Sequence, residues 1–284
     1  MNPEARRVAR EAKNTPALRF AARAGYAANG LVHILIGVIV LVVAFGGDGE
    51  TDQAGAFKAI AAAPLGFAVL WILAVALWAL GVWHVLEGVL ARPTTTSAPD
   101  AIDSVVSDDT VEKASKWGVR VSEFGQAVVF IALGVVAASV ALGAQPDGDT
   151  AAQDASRGVL GIPGGVFLLG AVGVGVAIGG IAFVVMGGMR SFEKKMSIPS
   201  GALGDGVKVL GIVGFIAKGI ALLILGILLL VAAIKVDPDA AGGLDAAVSA
   251  LIALPYGPWL ASAVGVGLIV YGVFCVFRAR YARL

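Results

Sequence analysis

The sequence predicts an all-α, polytopic membrane protein in which six transmembrane helices form three two-helix repeats arranged as a pseudo-three-fold bundle. Three observations carry that prediction. Of the 284 residues, 58% are hydrophobic and only 14% charged, with a mean hydropathy of +0.89, far more apolar than an ordinary soluble domain. Six apolar runs are each long enough to cross about 30 Å of hydrocarbon as a helix. Glycines and prolines recur at matching spacings in three consecutive stretches of chain.

The first 23 residues hold Arg6, Arg7, Arg10, Lys13, Arg19 and Arg23, followed by an uninterrupted apolar run. That run is about 20 residues, longer than the core of a signal peptide, so it reads as the first span. The spans are expected at 24–45, 66–91, 119–143, 166–188, 208–234 and 258–279. Gly37, Gly134 and Gly226 anchor the odd-numbered spans. Gly66, Gly165 and Gly257 follow 29, 31 and 31 residues later, each two residues after a proline, and Gly81, Gly180 and Gly272 follow 15 later again. Such self-similarity marks a repeated unit. The division that results is a basic segment over 1–17 and repeats over 18–95, 96–193 and 194–284.

Between the two spans of each repeat lies a loop with a short amphipathic stretch before its proline. It is clearest in "QAGAFKAIAAAP" and "LDAAVSALIALP", where Phe57 and Ile60, and Val248, Leu251 and Ile252, share one helical face. These predict short interfacial helices that stop before proline, which cannot continue the hydrogen-bond ladder; "QDASRGVLGIP" is the weaker case. Gly175 and Gly179, a GxxxG pair, are expected to let helices approach closely.

Of the 21 lysines and arginines, 17 lie at the termini or in the two loops between repeats, against Lys58, Arg157 and Lys235 in the other loops. The excess of basic residues predicts a bacterial inner-membrane protein with both termini cytoplasmic. The outer loops then hold Asp48, Glu50 and Asp52; Asp147, Asp149 and Asp154; and Asp237, Asp239 and Asp245. With a net charge of +1, no nucleic-acid partner is expected. Cys275 is the only cysteine, which excludes an internal disulfide or a thiolate metal site within one chain.

The glycine anchors, with basic endings near Arg92, Arg190 and Arg280, make residues 18–284 resemble a bacterial family of membrane proteins, the domain-of-unknown-function family twelve-oh-six. Its members carry a two-helix unit three times. The resemblance implies topology and assigns no catalytic or binding residue. The likeness to mitochondrial carriers, also built from three two-helix units, is one of architecture alone, since the P-x-[DE]-x-x-[KR] signature is absent.

Polar groups inside the spans are costly and therefore informative. Asn29, Gln126 and Lys218 share one register, eight residues before each anchor glycine, and Tyr26, Glu123 and Phe215 share another. His84 is expected at a depth similar to Lys218, with Glu87 on the same helix face and one turn nearer the cytoplasm. One reading is a polar girdle of Asn29, His84, Glu87, Gln126 and Lys218 in the cytoplasmic half of a cleft, with Lys218 paired to Glu87 or Glu123. The alternative has Glu123 and Arg278 snorkelling to the headgroups and Lys218 and Glu87 forming a structural pair. His33 and His84 would together offer axial ligands to a haem. Depth opposes that, and neither histidine recurs in the other repeats, so hydrogen-bonded packing is the favoured reading. No metal site, cofactor or catalytic residue is predicted.

The longest inner loop runs through "RPTTTSAPDAIDSVVSDDTVEKASKWG", with a helix expected after Pro99 and Asp100 and Asp103 at its N-terminus. Residues 96–112 are the candidate contact for a cytoplasmic protein partner. The expected function is carriage of a small solute or ion through the bilayer, without enzymatic activity. The alternatives are a scaffold or accessory subunit, whose mark would be a closed apolar axis, and a haem-binding redox protein.

Overall fold

The computed structural model describes residues 3–90 and 108–284. Six of its helices are long and apolar enough to cross a membrane, and the protein is a multi-pass membrane protein. A short basic helix, α1 (Pro3–Lys13), precedes the first long one, α2 (Pro16–Ala44). Then follow α3 (Gln53–Ala61), α4 (Gly66–Leu90), α5 (Asp108–Ala141), α6 (Gly148–Leu160), α7 (Gly165–Gly188), α8 (Ala202–Lys235), α9 (Leu244–Ile252) and α10 (Gly257–Tyr281). The expected helix after Pro99, Arg92 and residues 96–107 of the candidate partner segment lie outside the described residues.

The two ends of the bundle differ. The terminal face carries both chain ends and α1; the distal face carries α3, α6 and α9, one for each repeat. All three distal helices form, and the one with the weakest sequence signal, α6, is the longest at 13 residues. Its helix is capped by Asp147, which accepts from the Thr150 amide, and a cap does not show in apolar periodicity.

The Pro-x-Gly signature marks the same bend three times. The amides of Gly66, Gly165 and Gly257 donate to the carbonyls of Ala63, Ile162 and Leu254. The residue between proline and glycine is left-handed in each case, Leu65 at φ 63°, Gly164 at 79° and Tyr256 at 62°. Proline second and a left-handed residue third is the pattern of a type II turn. A side chain on any of the three glycines would run into the backbone carbonyl of Ile60, Val159 or Ile252, so the bend needs glycine for space.

The long helices pack in the cyclic order α2, α4, α5, α7, α8, α10. The extensive seams lie between repeats: α4 on α5, α7 on α8, and α10 back on α2. Each is antiparallel and places small residues opposite one another at seven-residue spacing. Gly30 and Gly37 face Gly272 and Gly265; Ala127 and Gly134 face Gly81 and Ala74; Gly219 and Gly226 face Gly180 and Gly173. A methyl group added to Gly180 would come within 2.7 Å of the Gly219 carbonyl, and one on Gly30 within 2.6 Å of the Gly272 carbonyl. Small residues here let backbones meet where no side chain fits.

Seams within repeats are thinner, and one is missing. Gly25 packs on Leu80 in the first repeat and Gly214 on Tyr271 in the third. The corresponding residues of the second, Ser122 and Gly179, do not meet, and α5 and α7 share no extensive contact among the described residues. The close approach expected at Gly175 and Gly179 is therefore not made: a side chain at either position would enter open space. The seam glycines of α7 are Gly173 and Gly180, on the opposite face.

Candidate functional site

The spans bring polar side chains together in two groups rather than one girdle. On the α4/α5 side, His84 is buried and its Nδ1 donates to Glu123 at 2.6 Å; a carboxylate only accepts, which places the proton on Nδ1. Its ring stacks on Phe130 and meets Tyr26 edge-on, with centroids 5.3 and 6.4 Å apart. The other Glu123 oxygen takes Lys195 at 3.3 Å. Glu87 pairs with Lys13 of α1 at 2.5 Å, and Lys13 also lies over the Trp83 ring. Arg10, Lys13, Glu87, Glu123 and Lys195 border a cleft of about 470 Å³ on the terminal face.

The second group joins α2, α8 and α10. Lys218 donates to the Tyr271 hydroxyl at 3.3 Å and sits over the rings of Tyr271 and Phe183, at 4.5 and 5.2 Å from their centroids. Asn29 reaches Cys275 at 3.5 Å, and His33 Nδ1 donates to the Asn29 carbonyl at 2.8 Å. That bond fixes the His33 tautomer and leaves Nε2 as an acceptor. Arg278 lies 4.4 Å over the Tyr26 ring and donates to its hydroxyl at 3.4 Å.

The pairing expected for Lys218 is not made. Glu87 is held by Lys13 and Glu123 by His84 and Lys195, and Lys218 has no carboxylate partner among the described residues. The expected snorkelling of Glu123 is also replaced, since its side chain is only 8% exposed and buried against His84. Gln126 shares the register of Lys218 and, among the described residues, bonds to Ser122 on its own helix, where α5 and α7 make no extensive seam. Of the five candidate residues, Asn29 and Lys218 belong to one group, His84 and Glu87 to the other, and Gln126 to neither.

A cavity of about 200 Å³ begins at Lys218 and His33 and runs past Ala221, Leu222, Leu225 and Leu268 to Asp52 and Gln53. From Lys218 to Leu225 is seven residues, about 10 Å of helix, so the cavity extends from the middle of α8 toward the distal face. His84 does not line it. The two histidines thus sit in different surroundings, each with Nδ1 engaged, and do not open onto a shared space for a haem among the described residues.

The distal mouth is built from carboxylates passed from one repeat to the next. Asp52 of the first repeat lies against Gly148 at the start of α6. Asp149 of the second accepts from the Gly243 and Ala246 amides at the start of α9, at 2.6 and 3.3 Å. Asp245 of the third accepts from the amide and hydroxyl of Thr51, just before α3, at 2.8 and 2.7 Å. Burial pushes the Asp52 and Asp149 carboxyls above the usual range, opposed by amides that donate to them and reinforced by neighbouring acids, Asp245 among them. Asp147, which caps α6 at the surface, is instead lowered by the Thr150 amide.

Sequence reasoning missed Tyr271, Phe183 and Lys195. Tyr271 precedes the seam glycine Gly272 and aligns with Leu80, so its position was readable although its bond to Lys218 was not. Lys195 counted only as one positive charge of a loop.

No solved structure matches the chain. A relative from Bacillus subtilis (strain 168), the uncharacterized protein YxxB, is 29% identical over 266 residues, covering 92% of this chain and 90% of its own length. The profile of a family described as Domain of Unknown Function (DUF1206) matches residues 24–91, 122–190 and 213–282, one segment in each repeat. Those segments contain the seam glycines and the Pro-x-Gly bends, and the chain belongs to the DUF1206 family.

Proposed function

We propose that the protein is a non-enzymatic carrier or channel for a small solute, lying in the bacterial inner membrane with its termini cytoplasmic. The 17 basic residues toward the terminal face support that orientation. The solute site is the cavity that ends at Lys218, and the observation that carries the reading is its lining: an amine without a carboxylate partner and an imidazole beneath an aliphatic wall. Intramembrane ionisable groups facing a cavity mark solute and ion pathways, and transporter sites near the bilayer midplane lie between repeats. A scaffold would have a closed apolar axis; the cavity favours the carrier.

The test uses proteoliposomes containing the full chain, loaded with a fractionated small-molecule extract of bacterial cells. Mass spectrometry of the external buffer is expected to find one component released faster than from protein-free liposomes, and Lys218→Met is expected to slow that release. Release profiles identical in wild type, Lys218→Met and protein-free liposomes would reject the reading.

A further inference from the structure

We infer that the solute of the Lys218 cavity is a small organic carboxylate with a compact apolar body; this rests on the carrier reading above and names its substrate class.

Charge comes first. The Lys218 amine has the Tyr271 hydroxyl and two aromatic faces as partners and no carboxylate among the described residues. The other cation on this side of the ring, Arg278, likewise meets a phenol rather than an acid. The two carboxylates of the neighbouring spans are each held elsewhere, Glu87 by Lys13 and Glu123 by His84 and Lys195. This side of the ring therefore holds two cations without a bridged counter-charge, and the cavity opens on one of them. A cation entering the same space would meet a like charge in a medium of low dielectric.

Donor chemistry narrows the anion. Lys218 supplies the ammonium protons at the inner end of the cavity, while Tyr271, which accepts from it, is not part of the lining; one ammonium suits a single carboxylate. His33 donates to the Asn29 carbonyl through Nδ1 and keeps only a lone pair on Nε2, so it adds no donor. One ammonium makes a poor match for a phosphate dianion.

Shape sets the remainder. Between Lys218 and the distal end, where Asp52 and Gln53 lie, the wall is Ile36, Leu222, Leu225 and Leu268, which accepts an apolar body and places the carboxylate at the Lys218 end, away from Asp52. The volume of about 200 Å³ exceeds an engineered apolar cavity of about 150 Å³ that holds benzene and falls short of the roughly 300 Å³ at which drug-sized pockets begin. A single ring or short branched chain bearing one carboxylate fits between those limits.

The test is equilibrium binding of three probes of one shape and different charge, benzoate, benzyl alcohol and benzylamine, to the full chain in lipid nanodiscs at neutral pH. Benzoate is expected to bind wild type at least about ten-fold more tightly than either other probe, the scale of a hydrogen bond to a charged group. Lys218→Met should bring benzoate to the level of benzyl alcohol, while Lys218→Arg, which keeps the charge, retains the preference and shows that the cavity is intact. Benzyl alcohol or benzylamine binding as tightly as benzoate, or a benzoate affinity indifferent to Lys218→Met, would overturn the inference. Failure of all three probes to bind would overturn it too, and the proteoliposome release assay then tells whether the carrier reading falls with it: release that still depends on Lys218 keeps that reading and rejects only the carboxylate.

Discussion

The His84–Glu123 group and the Lys218 group lie on either side of Tyr26, whose ring meets both His84 and Arg278, and they treat charge in opposite ways. At the α4/α5 seam both carboxylates are matched, Glu123 by His84 and Lys195 and Glu87 by Lys13. Around α10, Lys218 at the α8 seam and Arg278 at the α2 seam meet phenols and ring faces, with no carboxylate among the described residues. Repeat symmetry equates backbone positions, and side-chain chemistry then makes one seam a closed ionic joint and another the floor of a cavity. A charge matched by an opposite charge joins helices; Lys218 has instead a hydroxyl and two ring faces.

The comparison breaks most sharply if Glu123 is removed. Glu123→Ala leaves the buried His84 Nδ1–H without its acceptor, while the exposed Lys195 turns to solvent; a buried donor left unpaired costs about 1–3 kcal/mol. Chemical unfolding in detergent should show that loss; a change below about 1 kcal/mol would mean the joint is not structural. Lys218→Met removes a charge without stranding another, and stability should stay level or rise by about 1–3 kcal/mol in the same assay. A clear destabilisation would place Lys218 with Glu123 as a structural residue.

Backbone packing sharpens the same contrast. Gly180 lies against Gly219, the residue next to Lys218, so Gly180→Val should cost about 1–3 kcal/mol from overpacking. Gly175→Val, on the open face of α7, should change thermal stability little. Equal losses at both positions would show that the second repeat closes.

The smallest effect is expected at the distal mouth. The Asp52 carboxyl is raised in the folded protein, so the fold favours its protonated form. Its contribution to stability is complete below the unfolded-state value, about 3.9, and is lost as pH rises from there through the raised folded value. Asp52→Asn keeps an acceptor for the Gly55 amide and removes the titration. The melting temperature of the wild type should therefore fall more between pH 4 and 7 than that of the variant, and parallel curves would show that Asp52 does not titrate differently on folding.

Much of the fold was legible because membranes make its signals coarse. Length and hydropathy place the spans, and the Pro-x-Gly bends and anchor glycines recur because each serves the same backbone geometry three times. The candidate site was legible only as a register. Asn29, Gln126 and Lys218 align in sequence, yet what each touches depends on neighbours from other helices: Cys275 of α10 for Asn29 and Tyr271 of α10 for Lys218, while Gln126 bonds to Ser122 of its own helix. Gly175 and Gly179 satisfy a packing motif that Gly173 and Gly180 use in the structure, because residues a few positions apart can face opposite sides of a helix. The carboxylate relay of Asp52, Asp149 and Asp245 joins segments about 95 residues or more apart in the sequence, and spacing alone does not disclose such contacts.

The position between α5 and α7 gives the ring a mechanical character. Six rods welded at every junction would enclose a bore of fixed girth. With one junction left unwelded among the described residues, the assembly is a split collar, held by the three glycine seams and with no such joint across the second repeat.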